Sequence, residues 1–193
     1  MLDIVLIRPG STDYDLDERI QGNLDVPLNE QGVGEVARIV EEVRGLGIEA
    51  VYASCCEPAV QAAKTIAEAL SVKFRKLDRM DNLNQGLWQG MLIEEVRHNH
   101  PKVYRQWQEQ PQNVCPPEGE MLSAVFERVE ATVAKLCKRH KEGVIALVAP
   151  EPLGSLVRSY INHDEVGDLW KAPEGHGRWE ILTVNPEVLV QSG

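Results

Sequence analysis

Short apolar runs alternate with amphipathic stretches along most of the chain. Leu2 to Ile7 is apolar and β-branched, and Pro9-Gly10 ends it, which predicts a buried strand. Ser11 to Asn29 is polar and irregular. Asn29 can then cap a helix in which Val33, Val36, Ile39, Val40 and Val43 recur at helical spacing, until Gly45 and Gly47 stop it. Ile48 to Ala53 predicts a second strand, Pro58 to Leu70 a second helix and Val72 to Leu77 a third strand. Strand, helix, strand, helix, strand is the pattern of a parallel sheet with crossover helices.

Residues 79–119 break that rhythm. They are rich in Asn, Gln and Pro, and predict a lid-like insertion over the carboxyl ends of the strands, with short helices at Glu94 to His100 and after Pro101. A long amphipathic helix follows from Glu120 to His140, with Val125, Val129, Val133 and Leu136 facing inward. Val144 to Val148 reads as a strand, Pro152 to Ile161 as a helix and Trp179 to Val184 as a last strand. The whole chain, 1–193, fits one α/β domain. Ligands of such open sheets bind beyond the carboxyl ends of the strands. That points to Arg8-Pro9-Gly10, to Ser54 through Pro58, and to Ala149 through Pro152.

Composition narrows the function classes. A formal net charge of -10 argues against nucleic-acid partners and against an anionic membrane surface. No apolar run is long enough to cross a bilayer, and no secretory leader precedes the first strand. A cytoplasmic location with reduced thiols is therefore expected. Cys55, Cys56, Cys115 and Cys137 have no zinc-ligand spacing, so neither a metal nor a cofactor is expected.

Several segments carry a family resemblance. Leu6-Ile7-Arg8-Pro9-Gly10-Ser11-Thr12 resembles the opening signature of the histidine phosphatases, the phosphoglycerate mutase-like superfamily. Arg19-Ile20-Gln21-Gly22 and Asp25-Val26-Pro27-Leu28-Asn29-Glu30-Gln31-Gly32 are similar to the family's next segment. Val51-Tyr52-Ala53-Ser54, Gly86-Leu87-Trp88-Gln89-Gly90 and Pro117-Glu118-Gly119-Glu120 follow in the family's order. The resemblance implies a three-layer α/β/α sandwich around a mostly parallel sheet, with the site at the strand carboxyl ends.

The same resemblance implies a catalytic set, and here the chain departs from it. The family uses a nucleophilic His, two phosphate-binding Arg, a second His and a proton-donating acid. Arg8 matches the first Arg. Pro9 stands at the nucleophile, Pro58 at the second Arg, Asn82 at the proton donor and Pro150 at the second His. Proline has no nucleophilic or proton-transferring group. No other His matches by register: His98, His100, His140, His163 and His176 read as surface residues.

What is left is a residual pocket of Arg8, Ser11, Thr12, Gln21, Asn23, Glu57, Asn82 and Glu151. Because an unpaired buried Arg is costly, Glu151 or Glu57 is expected to approach Arg8 and occupy part of the phosphate site. The alternative is that both carboxylates point to solvent. The expected function is a catalytically inactive histidine phosphatase-like protein with an unknown protein partner or a small polar ligand. The alternatives are relocated chemistry on Cys55, Cys56 or Glu151, and ordinary phosphatase or mutase activity.

Overall fold

A computed structural model describes residues 1–185; the last part of the predicted 1–193 domain lies outside the described residues. The strands are β1 (Leu2–Ile7), β2 (Ala50–Ala53), β3 (Lys73–Lys76), β4 (Gly143–Val148) and β5 (Trp179–Val184). The helices are α1 (Asp13–Leu16), α2 (Glu30–Val43), α3 (Glu57–Leu70), α4 (Ile93–Asn99), α5 (Pro101–Glu109), α6 (Leu122–Arg139) and α7 (Leu153–Asn162). The sheet order is β3-β2-β4-β1-β5, parallel throughout except for β5, which runs antiparallel to β1.

Alternation along the strands builds two cores. Leu2, Ile4 and Leu6 face one side with Tyr52, Ile145 and Leu147, where α6, α7 and the 80–114 segment cover them. Val5, Ile7, Val51, Ala53, Ala146 and Val148 face the other side, under α2 and α3. Helices on both faces of one mostly parallel sheet match the crossover pattern that the periodicity predicts and make the three-layer sandwich that the resemblance implies. Ala59, Ala62, Ala63, Ile66 and Ala67 are the buried stripe of α3, and their small size lets the helix lie close to the sheet.

The sequence pattern is imprecise at the edges. Val33 shares the helical period of α2, yet it is 59% exposed, because the buried face runs through Gly32, Val36, Ile39, Val40 and Val43 and leaves Val33 outside it. The strand expected at Val72 to Leu77 shortens to Lys73–Lys76, an edge strand with exposed Lys and Arg. The segment expected to be irregular contains α1, whose Thr12 cap and Asp15 form a reciprocal capping box. Trp88 and Trp107 pack edge to face at 5.6 Å, and Trp107 is fully buried.

Candidate active site

Three loops meet at the carboxyl ends of β1, β2 and β4. The β1 loop is drawn onto α2 by a backbone contact so tight that a Cβ on Gly10 would lie 2.1 Å from the Gly32 carbonyl oxygen. Asn29 caps α2 through Gly32 N–H at 2.8 Å, and its own N–H donates to Ser11 O at 3.0 Å. The β4 loop carries Pro150, Glu151 and Pro152, and the Glu151–Pro152 peptide is cis. Between these loops lies a narrow cleft, open at its mouth, with a volume of about 40 Å³.

Arg8, Pro9, Thr12, Gln21, Pro58, Pro150 and Glu151 all line this cleft, as the sequence places them. Arg8 is 8% exposed. Its Nε donates to Glu151 Oε1 at 2.8 Å, and its Nη1 donates to Glu180 Oε1. Burial pulls the guanidinium toward losing its proton, but Glu151 first and Glu180 second outweigh it, so its pKa is raised. The second oxygen of Glu151 accepts Ser155 N–H at 3.1 Å. Of the two expected partners of Arg8, Glu151 is the one present. Glu57 is exposed in the first turn of α3 and makes no such contact.

Three other expected pocket residues do not line the cleft. Asn82 is 1% exposed and fully engaged. Its amide nitrogen donates to Gly22 O at 2.8 Å and Glu151 O at 2.9 Å, while its oxygen accepts the N–H of Leu83 and Leu153. It ties three loops together and has no group free for a ligand. Ser11 lies behind the cleft, donating its N–H to Glu35 Oε2 at 2.8 Å and accepting from Asn29 at its Oγ. Asn23 is exposed, and only its backbone N–H is used, toward Gln89 Oε1 at 2.9 Å.

The structure adds residues that the sequence reading missed. Glu180 reaches Arg8 from β5, where it pairs in register with Leu6. Asp15 lines the cleft; burial raises its carboxyl pKa, although hydrogen bonds from Thr12 pull the other way. Its capping-box spacing after Thr12 was the available signal. His176, read as a surface residue, also lines the cleft, and its Nδ1 lies 3.1 Å from Glu35 Oε2. Burial raises the Glu35 carboxyl, but hydrogen bonds from Gln31, Ser11 and His176 outweigh it and leave its pKa lowered.

The thiols are placed against reactivity. Cys55 Sγ donates to Leu77 O at 2.9 Å, Cys56 is buried, and desolvation raises both thiol pKa values. Among the described residues no cluster of ligating side chains could hold a metal ion. No described helix is long and apolar enough to cross a membrane.

Residues 4–190 match the family model of the histidine phosphatase superfamily, branch 1. The chain belongs to the histidine phosphatase superfamily. It is 31% identical over 149 residues to phosphoserine phosphatase 1 of Hydrogenobacter thermophilus, spanning 77% of this chain and 71% of that one. It is 28% identical over 163 residues to the probable phosphoglycerate mutase GpmB of Salmonella arizonae, spanning 83% and 75%. In fold it resembles a mycobacterial glucosyl-3-phosphoglycerate phosphatase, with a TM-score of 0.83, 23% identity, and 94% and 90% of the two chains covered. The cleft of this member is lined by Pro9, Pro58 and Pro150, with Arg8 held by two carboxylates.

Proposed function

We propose that this histidine phosphatase-fold protein carries out no phosphohistidine chemistry and uses its cleft to bind a small, uncharged polar ligand or to present a surface to a protein partner. The carrying observation is the double engagement of Arg8 by Glu151 and Glu180. A phosphoryl group needs free cationic forks and an imidazole that can attack phosphorus. Here the guanidinium is occupied, and an arriving phosphate would meet the carboxylates of Glu151 and Asp15 in the same cleft. Pro9 and Pro150 offer no attacking or protonating atom. Asn82 is committed to backbone groups.

The named relatives are a phosphatase and a mutase, so phosphomonoester chemistry is the natural rival reading. It requires a nucleophilic imidazole, a second phosphate-binding Arg and a second His at positions where this cleft carries Pro9, Pro58 and Pro150. Relocation to Cys55 or Cys56 is disfavoured because desolvation keeps both thiols protonated. Titration of the purified chain with inorganic phosphate by calorimetry tests the proposal. No saturable heat is expected through the millimolar range, and saturable micromolar binding would overturn it.

A further inference from the structure

The cleft contains one imidazole, and the fold holds it with unusual firmness. Gly177 N–H donates to Pro9 O at 2.8 Å, and Arg38 donates to Gly177 O at 2.6 Å. His176 is thereby fixed beside Pro9. Gly177 has φ +67, and a Cβ there would lie 2.8 Å from the Glu35 carboxyl carbon. Glycine is required for Glu35 to slide under the loop and meet Nδ1 of His176. The same Glu35 oxygen accepts Ser11 N–H at 2.8 Å, which fixes its direction. Nε2 of His176 has no protein partner among the described residues. A ring nitrogen held by a carboxylate, with its other nitrogen free in a cleft, is the arrangement of a general base.

We propose that His176 is a catalytic general base for hydrolysis of uncharged carboxylic esters, with Glu35 as its positioning residue. The ester class rests on the reading that the cleft rejects phosphate. Glu151 and Asp15 offset the cations of the lining, Arg8, which is already paired, and Arg19, which donates to Gly90 O, so the cleft has no net attraction for an anion, while Pro58, Pro150, Leu169 and Trp170 supply apolar wall for an acyl or aryl group. The Gln85 amide lines the same cleft without a side-chain partner among the described residues, so it is free to donate to a carbonyl oxygen. With Nδ1–H donated to Glu35, Nε2 takes a proton from water. The water oxygen bonds to the acyl carbon, the bond to the leaving alkoxy oxygen breaks, and the imidazolium returns its proton to that oxygen. Ester and water become acid and alcohol, and no other reactant is needed.

The test uses the full chain with p-nitrophenyl acetate, run beside p-nitrophenyl phosphate. Saturable acetate hydrolysis is expected, with His176→Gln lowering kcat/KM by about a hundredfold. Exposed His163→Gln should leave the rate unchanged. Glu35→Gln should lower kcat while KM holds, and Glu35→Asp should restore part of it; a structural role alone would move KM and Tm together. Acetate hydrolysis at the buffer rate, equal rates for wild type and His176→Gln, or a single stoichiometric burst from thiol acylation would overturn the proposal. Hydrolysis of the phosphate would instead overturn the reading of the cleft, and His176→Gln would still report on the ester activity separately.

Discussion

Nε of Arg8 donates to Oε1 of Glu151 across 2.8 Å, joining the end of β1 to the loop after β4. Both side chains are nearly buried, at 10% and 6% exposure, whereas Glu180 on the other side of Arg8 is 35% exposed. The two carboxylates therefore differ in weight. Glu151→Ala leaves a buried guanidinium short of its main partner and also frees Ser155 N–H. A loss of about 3 kcal/mol in urea unfolding is expected. Glu180→Ala should cost under about 1 kcal/mol, because solvent replaces a half-open pair. Equal costs would show that Glu151 is not the anchor.

Asn82 supports the cleft without facing it. Asn82→Ala removes four hydrogen bonds and leaves buried carbonyl and N–H groups of Gly22, Glu151 and Leu153 unpaired. The expected destabilisation is about 3 kcal/mol by chemical denaturation. Asn82→Glu should not supply a proton donor. It places a carboxylate against two carbonyl oxygens and should destabilise at least as much, with no gain in phosphatase activity.

Glu35 gives the loop after α7 a pH dependence. Its carboxyl pKa is lowered in the folded state by hydrogen bonds from Gln31, Ser11 and His176, despite the opposing effect of burial. A lowered acid contributes stability above its unfolded pKa and loses it as pH falls through the folded value. The stability gap between wild type and Glu35→Gln should thus be present at neutral pH and shrink on acidification below the usual carboxylate range. Urea midpoints at pH 7 and pH 3 measure it; a gap that widens in acid would reverse the assignment.

The cysteines should follow exposure. Cys115 is exposed, while Cys55 and Cys56 are held back by burial, which raises both thiols. Iodoacetamide at neutral pH, read by mass spectrometry, should label Cys115 first, with Cys55 and Cys56 reacting slowly. Rapid labelling of Cys55 would reopen it as a nucleophile.

The middle of the sheet was legible because β1, β2 and β4 are mostly buried on both faces, so each appears as a short apolar run bounded by Gly, Pro or Ser. The convergence of Arg8, Pro9, Pro58 and Pro150 was legible too, since all follow strand carboxyl ends. The partners that decide the chemistry were harder to see. Glu180 meets Arg8 only because β5 turns back antiparallel and pairs Glu180 with Leu6, a register that local pattern does not encode. His176 looked like a lone loop histidine. Its place beside Pro9 depends on one backbone hydrogen bond from Gly177, contributed from a distant part of the chain. Asn82 looked like a ligand donor because the bonds of its side-chain amide, donated to Gly22 O and accepted from Leu153 N–H, form only in the folded state.

The proposed loss of phosphoryl transfer from this histidine phosphatase cleft can be read in one assay. The most direct measurement is hydrolysis of p-nitrophenyl phosphate by the purified chain from pH 4 to 9, beside an active family member, for wild type and Arg8→Ala. Buffer-level rates are expected for both, and the same for Pro9→His, since Arg8 stays engaged by Glu151 and Glu180. Turnover that co-purifies with the wild-type chain and disappears in Arg8→Ala would contradict it.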